Sequence, residues 1–391
     1  MQRLSSSQLG SEFIDWPVYM RCALDLAVTV INTSPNPRVG CVIVKAGGIV
    51  GKGWHVSPGK DHAEIMALKS AGEDAKSSTV FVSLEPCSHI GRTGPCCDAL
   101  IAAGISRLVI AGIDPNPEIS GLGIKKIESA GIEVFYLEDS EAAARKINVG
   151  YFKRRETGLP YVRCKLAASI DGRTALSNGV SKWITSAEAR ADVQLYRAQS
   201  SAIITGVETV LSDNPSMNVR FDELNLTAEA KQQNLSLNSI QPLRVILDSN
   251  LRTPGTAKIL HVDGGIRIYV AKKTIDQELV ESKELPDNVE LVFAEEESQR
   301  VNLHFVLESL ALNCECNEVF VEAGPALSAA FLEAGLIDEL IVYIAPKLLG
   351  SDAKPLFEIA GLQSMSESRN FAVKDLDKVG DDIRVCLIPQ K

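Results

Sequence analysis

The chain of 391 residues contains no apolar run approaching the ~18 residues that a membrane helix needs. Its opening, MQRLSSSQLG, lacks the apolar core of a signal peptide. Neither membrane insertion nor secretion is expected. Positive charge is scarce as well: the formal net charge is −10, and no basic run exceeds KRR at 153–155. That leaves no basic footprint for tracking nucleic-acid phosphates, although a small phosphorylated ligand needs only a few placed arginines. A disulfide framework is also missing. The cysteines number nine, an odd count, and Cys22, Cys41, Cys164, Cys314, Cys316 and Cys386 are scattered, which suits a reducing, cytoplasmic setting. There is no GxGxxG, which argues against a standard dinucleotide fold but not against nicotinamide binding.

What is present alternates. Apolar residues at helical spacing over 18–31, with Pro17 in the first turn, predict a helix. Two β-branched runs around Gly47 and Gly48 predict a hairpin over 40–55. DHAEIMALKSAG reads as a helix stopped by Gly72, STVFVSLEP as a buried strand, and PCCDALIAAG as a helix stopped by Gly104. SRLVIAGI is a further strand, and GLGIKKIESAGIEV a helix and strand. Strands alternating with short helices imply an α/β sandwich with a largely parallel sheet. RRETGLPYV, at 154–162, changes texture, so the domain boundary is expected there, giving domains of 1–156 and 157–391. The second half restarts with YVRCKLAAS, SAIITGV, LRVILDS, IRIYVA, VELVFA, EVFVEAG, ELIVYIAP and IRVCLI as strands, and residues 185–199 as a helix. It reads as a second α/β domain with a larger sheet. Residues 221–241 are polar and aperiodic and read as an exposed excursion.

Three cysteines fall within eleven positions in LEPCSHIGRTGPCCDAL, residues 84–100. A deaminase-type zinc site needs one imidazole, two thiolates, an open fourth position and a glutamate that is not a ligand. His62 opens a helix with HAE, Cys87 follows a strand, and Cys96 or Cys97 opens another helix. Helix N-termini favour thiolates, which are anionic. Zinc lowers the pKa of water towards ~7, and Glu64 stands beside it as the proton carrier. Each feature has a plainer reading: Asp61 and Glu64 make an ordinary capping box, and lone cysteines in apolar surroundings are usually inert. The combination is far more specific than its parts. The spacing Cys87-x8-Cys96 is wider than the usual P-C-x-x-C, and it does not choose between Cys96 and Cys97.

The second half carries softer signals. In VEAGPALSAAFLEAGLIDE, residues 321–339, a strand, a Gly-Pro turn and a helix would offer backbone N–H groups to a phosphate, or simply join strand to helix. ITGVETVLSDNP, residues 204–215, reads as a strand and a polar loop.

SPNPRVGCVIV, HAEIMAL and EPCSHIGRTGPCCDALI closely resemble the bacterial bifunctional riboflavin-biosynthesis deaminase/reductase family. The widened cysteine spacing is characteristic of its deaminase. CKLAASIDGRTAL, SKWIT, LYRAQSSAIITGVETVLSDNP and VEAGPAL resemble the family's reductase, so nearly the whole chain is covered. The resemblance implies a cytidine-deaminase-like α/β/α sandwich followed by a dihydrofolate-reductase-like α/β domain that uses NADPH. It implies His62, Cys87 and Cys96 as zinc ligands, with Cys97 a neighbour, and Glu64 as the proton shuttle. Asn36, His55 and His89 would hold the pyrimidine and its ribosyl phosphate. In the reductase, Ala167, Trp183, Thr209 and Asp213, with the turn of Gly324, Pro325, Ala326 and Leu327, would touch the cofactor. Ser181, Arg197, Met217, Arg220 and Glu322 would touch the substrate. Two arginines suit a phosphate, because the guanidinium fork binds oxygens in pairs, and Lys165 is a candidate neighbour of the reacting carbon. Departures from the family pattern are GKDHAE for GEPHAE, Ile90 for a second histidine, and Met217 for a leucine. None is a proposed ligand.

The expected function is therefore deamination of a ribosylaminopyrimidinone phosphate and NADPH-dependent reduction of its ribosyl chain, in a cytoplasmic homo-oligomer acting on a small molecule. One rival is a nucleoside or RNA deaminase with a non-catalytic second domain, which NADPH binding would exclude. The other is a metal-stabilised binding protein, which should saturate its zinc with four protein ligands where only three are evident.

Overall fold

The computed structural model describes residues 1–391 except 9, 89–93, 118, 236–239, 274–276 and 391. The chain forms two compact units: Met1–Gly158 with Ala228–Asn234, and Leu159–Thr227 with Leu235–Lys391.

The first unit is built on strands β1 (Gln2–Leu4), β2 (Gly40–Lys45), β3 (Gly48–Trp54), β4 (Thr79–Val82), β5 (Arg107–Ile110) and β6 (Glu133–Leu137). Their order is β1-β6-β5-β4-β2-β3. The first four in that order run parallel, and the β2–β3 hairpin closes one edge antiparallel. Alternation along the strands feeds two cores. Cys41, Ile43, Val80, Val82, Leu108 and Ile110 face helices α2 (Ala63–Ala71), α3 (Cys96–Ala102) and α4 (Leu122–Ser129). Val42, Val44, Phe81 and Val109 face α1 (Trp16–Ala27) and α5 (Glu141–Ile147), where Trp16 meets Phe81 edge-on. Helices on both faces make the α/β/α sandwich. The helix α6 (Val149–Thr157) ends on Gly158 in the left-handed region, so RRET is the final turn of a helix rather than a linker.

In the second unit β7 (Tyr161–Ser169), β9 (Ala202–Gly206), β10 (Leu243–Leu247), β11 (Ile266–Ala271), β12 (Val289–Ala294), β15 (Glu318–Glu322), β16 (Glu339–Ala345), β18 (Phe371–Val379) and β19 (Asp382–Pro389) form one sheet. It is ordered β12-β11-β10-β9-β15-β7-β16-β19-β18. The strands from β12 to β16 are parallel, and β19 and β18 follow antiparallel. The short pairs β8 (Arg173–Ala175) with β17 (Lys354–Pro355), and β13 (Glu296–Glu297) with β14 (Arg300–Val301), lie outside it. One face packs on α11 (Leu303–Asn313) and α12 (Pro325–Glu333), the other on α7 (Ala187–Gln199) and α8 (Val207–Asp213).

Two expectations are corrected. Residues 207–213 are the helix α8, not a polar loop, so Thr209 and Asp213 lie one turn apart on one face. The segment expected as an exposed excursion contains α9 (Ala228–Gln233) and buried Asn234, and this stretch belongs to the first unit. A short α10 (Gln277–Ser282) completes the helices described.

Candidate active sites

The first site is set by how closely α2 lies on β3. A Cβ added at Gly53 would come within 2.2 Å of the Ala63 carbonyl, and one at Gly51 within 2.4 Å of the Ala67 carbonyl. Only glycine in the strand, against alanines in the helix, allows that approach. It delivers His62, the N-cap residue of α2, and Glu64 in its first turn to the end of the sheet. The plainer reading of Asp61 and Glu64, a capping box, does not hold: His62 is the N-cap and makes no side-chain cap bond, while Asp61 pairs with Lys69 at 2.5 Å.

The loop after β4 brings up Cys87, and α3 begins at Cys96. Glu85 anchors this loop. Its buried carboxylate accepts from the backbone N–H groups of Gly121, Gly123, Ile124 and Asp114 at 3.0–3.3 Å, gathering the start of α4 beneath the Pro86-Cys87 turn. A Cβ at Gly123 would sit 2.3 Å from the Pro86 carbonyl, so the contact admits no side chain there. Glu85 was missed in the sequence, where its only signal was an acidic residue directly after a buried strand.

The donor atoms of His62, Cys87 and Cys96 lie within 4.8 Å of one another. His62 Nδ1 is 3.6 Å from Cys87 Sγ and 3.3 Å from Cys96 Sγ. These compare with about 3.5–3.8 Å for the edges of a tetrahedron drawn with ordinary zinc–nitrogen and zinc–sulfur bonds. One imidazole and two sulfurs are also the donor chemistry zinc prefers, so the residues fit that ion. Cys97 is turned away, its Sγ 3.3 Å from the Pro86 carbonyl, and burial pushes its thiol up to about 12. Cys87 is held down to about 4 by the hydrogen bonds of Cys96 and His62. Glu64 is buried beside them; burial, and next the charge of Cys87, push it up to about 7.

His55 and Asn36 join this cluster. Burial keeps His55 below its ordinary value, hence neutral at pH 7. Its Nδ1 lies 3.1 Å from the Asp61 carbonyl and must donate, which leaves Nε2 to accept from Asn36 Nδ2 at 3.0 Å. The Asn36 amide is thereby oriented, with its NH2 engaged by His55. His55 also meets the His62 ring edge-on at 5.3 Å. His89 lies outside the described residues.

In the second unit the site residues gather at the carboxyl ends of β7, β9 and β15, where open parallel sheets bind ligands. Lys165 is in register with Glu322. Arg197 grips Glu322 with both prongs, Nε–Oε1 at 2.5 Å and Nη2–Oε2 at 3.0 Å, and donates a third bond to the Asn218 carbonyl at 3.1 Å. Burial works against the Glu322 charge, but Arg197, aided by Lys165, outweighs it and holds the carboxyl below its usual range. Burial likewise lowers Lys165, with Glu322 opposing. Met217 is a buried core residue with its sulfur 3.9 Å from Arg197 Nη2. Arg220 is instead partly exposed and paired with Glu223.

Ala167 follows Lys165 on the same face of β7. Gly324 caps α12, with Pro325, Ala326 and Leu327 in its first turn; Pro325 carries no N–H, so the donors of this turn are those of Ala326 and Leu327, and a Cβ on Gly324 would meet no atom within 4 Å, leaving the cap itself uncovered. Leu327 reaches over Gly206, joining this turn to the end of β9 just before Thr209. An open helix N-terminus beside converging strand ends fits a phosphate-bearing dinucleotide. Ser181 and Trp183 lie on the loop before α7. Trp183 is tied to Lys347 through its carbonyl and to Arg190, which stacks on its ring at 4.2 Å.

Residues 160–385 match the family described as RibD C-terminal domain, and residues 17–112 the cytidine and deoxycytidylate deaminase zinc-binding region. The chain belongs to the RibD family. A riboflavin biosynthesis protein RibD of Escherichia coli K12 is 47% identical over 95% of this chain and 98% of its own length. One from Aquifex aeolicus is 39% identical over 93% and 96%. Among solved structures, Acinetobacter baumannii RibD in its form 1 aligns with a TM-score of 0.85 at 42% identity, covering 96% of this chain and 98% of that one. The Thermotoga maritima diaminohydroxyphosphoribosylaminopyrimidine deaminase/5-amino-6-(5-phosphoribosylamino)uracil reductase aligns at 0.80 and 29% identity, covering 96% and 99%. RibD relatives thus span both units, and the deaminase-like and reductase α/β folds expected from the sequence are those of the family.

Proposed function

We propose that the chain performs two consecutive steps of riboflavin biosynthesis. Residues 1–156 deaminate 2,5-diamino-6-ribosylamino-4(3H)-pyrimidinone 5′-phosphate by zinc-dependent hydrolysis. Residues 157–391 then use NADPH to reduce the ribosyl side chain, giving 5-amino-6-ribitylamino-uracil 5′-phosphate. The observation that carries this reading is the His62–Cys87–Cys96 cluster with Glu64 buried against it.

In the first domain His62, Cys87 and Cys96 would hold zinc, which when bound activates water for attack at neutral pH. Glu64 takes one proton from the attacking water and gives it to the ring nitrogen, then carries the second, from the hydroxyl now on the ring carbon, to the amine, which leaves as ammonia while the C=O forms. A carboxyl near 7 can both accept and release a proton at working pH. Asn36, fixed by His55, offers its carbonyl oxygen as an acceptor to the pyrimidine, and His89 is assigned to the same pocket.

In the second domain NADPH supplies hydride to the ribosyl C1′, through the ring-opened imine. The chain's task is mainly to align donor and acceptor carbons. Ala167, Trp183, Thr209, Asp213 and the turn from Gly324 to Leu327 are assigned to the cofactor. Ser181, Met217, Arg220 and the Arg197–Glu322 pair line the substrate side. Arg220, the more exposed arginine, is the one able to swing to a phosphate. Lys165 stands beside the reacting carbon. This reading places the enzyme in the cytoplasm as a homo-oligomer acting on a small molecule, with no nucleic-acid or membrane partner. Its nine cysteines are all free of disulfides, which supports a reducing setting.

The test generates the pyrimidine phosphate in situ with GTP cyclohydrolase and follows ammonia and NADPH oxidation together. Wild type should give both. Glu64→Gln should lose ammonia release by about 10²–10⁴-fold, the range for a positioned acid–base group, and lose oxidation with it. Oxidation surviving in the variant would overturn either Glu64's role or the order of steps. Ammonia without oxidation in wild type would leave a deaminase alone.

A further inference from the structure

The stretch Ala228–Asn234 is part of the first unit although the residues around it in sequence, 159–227 and 235–391, build the second. It brings almost no apolar surface: its sequence is AEAKQQN, and Asn234, 1% exposed, is its one buried residue. Hydrophobic burial does not explain why it is there. Its buried side chain, the Asn234 amide, engages the chain after α1. Asn234 Oδ1 accepts from the Ile31 N–H at 2.8 Å, while Nδ2 donates to the Thr29 carbonyl at 3.0 Å and to the Ala230 carbonyl at 2.9 Å. Thr29 and Ile31 lie just past the end of α1, where the chain turns towards Asn36.

That turn is held at its other end by Thr33, itself 2% exposed. The Thr33 carbonyl accepts from the Asn36 N–H at 3.0 Å, and its hydroxyl donates to the Asn36 carbonyl at 3.0 Å. The Asn36 side chain then bonds His55, which lies against His62. Hydrogen bonds thus hold both ends of the 29–36 segment, Asn234 at Thr29 and Ile31 and Thr33 at Asn36, and two residues of backbone join Ile31 to Thr33.

We propose that Asn234 is a positioning residue for deamination: it fixes the 29–36 segment so that Asn36 is presented to the pyrimidine substrate. The inference rests on the reading of Asn36 as a pocket residue given above. Asn234 touches neither substrate nor metal ligands and acts through Asn36. Its loss should weaken substrate binding while leaving Glu64 and the ligand cluster in place.

The experiment measures KM and kcat for ammonia release by the full-length zinc-loaded enzyme. The variants are Asn234→Ala, the isosteric Thr33→Val, Asn36→Ala, and Asn234→Ala combined with Asn36→Ala. Zinc content is measured for each, with NADPH oxidation on supplied deaminated phosphate as a control. Asn234→Ala should raise KM about five- to tenfold with kcat within about twofold, the size of one lost polar contact. Zinc content and NADPH oxidation should stay unchanged, and Thr33→Val should shift KM in the same direction. The double variant should be no worse than Asn36→Ala alone, because residues acting in series are not additive. A wild-type KM in Asn234→Ala, or additive effects in the double variant, would overturn the proposal while leaving Asn36 in the pocket. Parallel loss of kcat and zinc would also overturn it, reducing Asn234 to a fold-stabilising role. An unchanged KM in Asn36→Ala would sink the pocket reading itself, and the proposal with it. If Asn234→Ala does not fold, Thr33→Val decides by the same KM criterion.

Discussion

Two carboxyls in the first unit show how much environment decides. Glu85 and Asp114 are both buried, and burial raises both, yet their hydrogen-bond partners differ. Glu85 is surrounded by backbone N–H groups and shapes the loop carrying Cys87. Asp114 accepts from the Tyr151 hydroxyl at 3.0 Å and from the Asn116 N–H at 2.8 Å, and is pushed up to about 6 from 3.8. Between those two values the folded protein holds a proton that the unfolded chain has released. Stability must therefore fall as pH rises through that window and level off above it. Asp114→Asn keeps an oxygen to accept both bonds and removes the titration. Thermal unfolding of the two proteins across pH 4–8 should give a Tm difference that grows in favour of the variant between pH 4 and 6, then stays flat. A difference independent of pH would mean that Asp114 does not titrate in this range. The difference between proteins is the informative quantity, because loss of metal at low pH affects both alike.

At the scale of elements, the meeting of β3 and α2 carries the most weight. GIVGKGW is a poor strand by propensity, since its glycines weaken a strand, but they let α2 lie close enough to place His62 and Glu64. Gly53→Ala would force a Cβ against the Ala63 carbonyl at 2.2 Å. That overlap involves backbone on both sides, so the helix must move, at a cost of about 1–3 kcal/mol. The expected result is a lower Tm together with weaker zinc retention in a chelator competition. A lower Tm with unchanged retention would separate the packing from the ligand geometry. The β3 hairpin was legible in the sequence because its turn and β-branched runs are local signals. Other elements were not. The helix α8 spans only seven residues and was read as a loop, too short for periodicity to show. The edge strand β18 escaped notice because it is exposed along nearly all its length and its register slips between Val373 and Asp375, so alternation is broken. The burial of Asn234 within Ala228–Asn234 turns on hydrogen bonds of a side-chain amide, which leave no pattern in composition. The choice between Cys96 and Cys97 was equally closed to spacing. Adjacent residues on a helix point about 100° apart, and the phase of α3 became visible only in the structure. That His62 would meet two of the cysteines was legible because zinc chemistry restricts its donors to very few residue types.

For the whole molecule, each unit has cores of its own. Cys41, Leu108 and Ile127 belong to one, and Val162, Val321 and Phe331 to the other. The His62–Cys87–Cys96 cluster contributes to the first alone. Removal of zinc should therefore be selective. After dialysis against a chelator such as dipicolinate, ammonia release should disappear and return with added zinc. NADPH oxidation on supplied deaminated phosphate should persist throughout, because Lys165, Glu322 and the Gly324 turn draw nothing from the metal. The coupled assay starting from the undeaminated substrate should nevertheless go silent, since the second step depends on the first for its substrate. Supplying the intermediate separates that chemical dependence from a structural one. Oxidation lost even with the intermediate supplied would mean that the metal supports the fold of both units, and that the division into separate cores understates how they depend on each other.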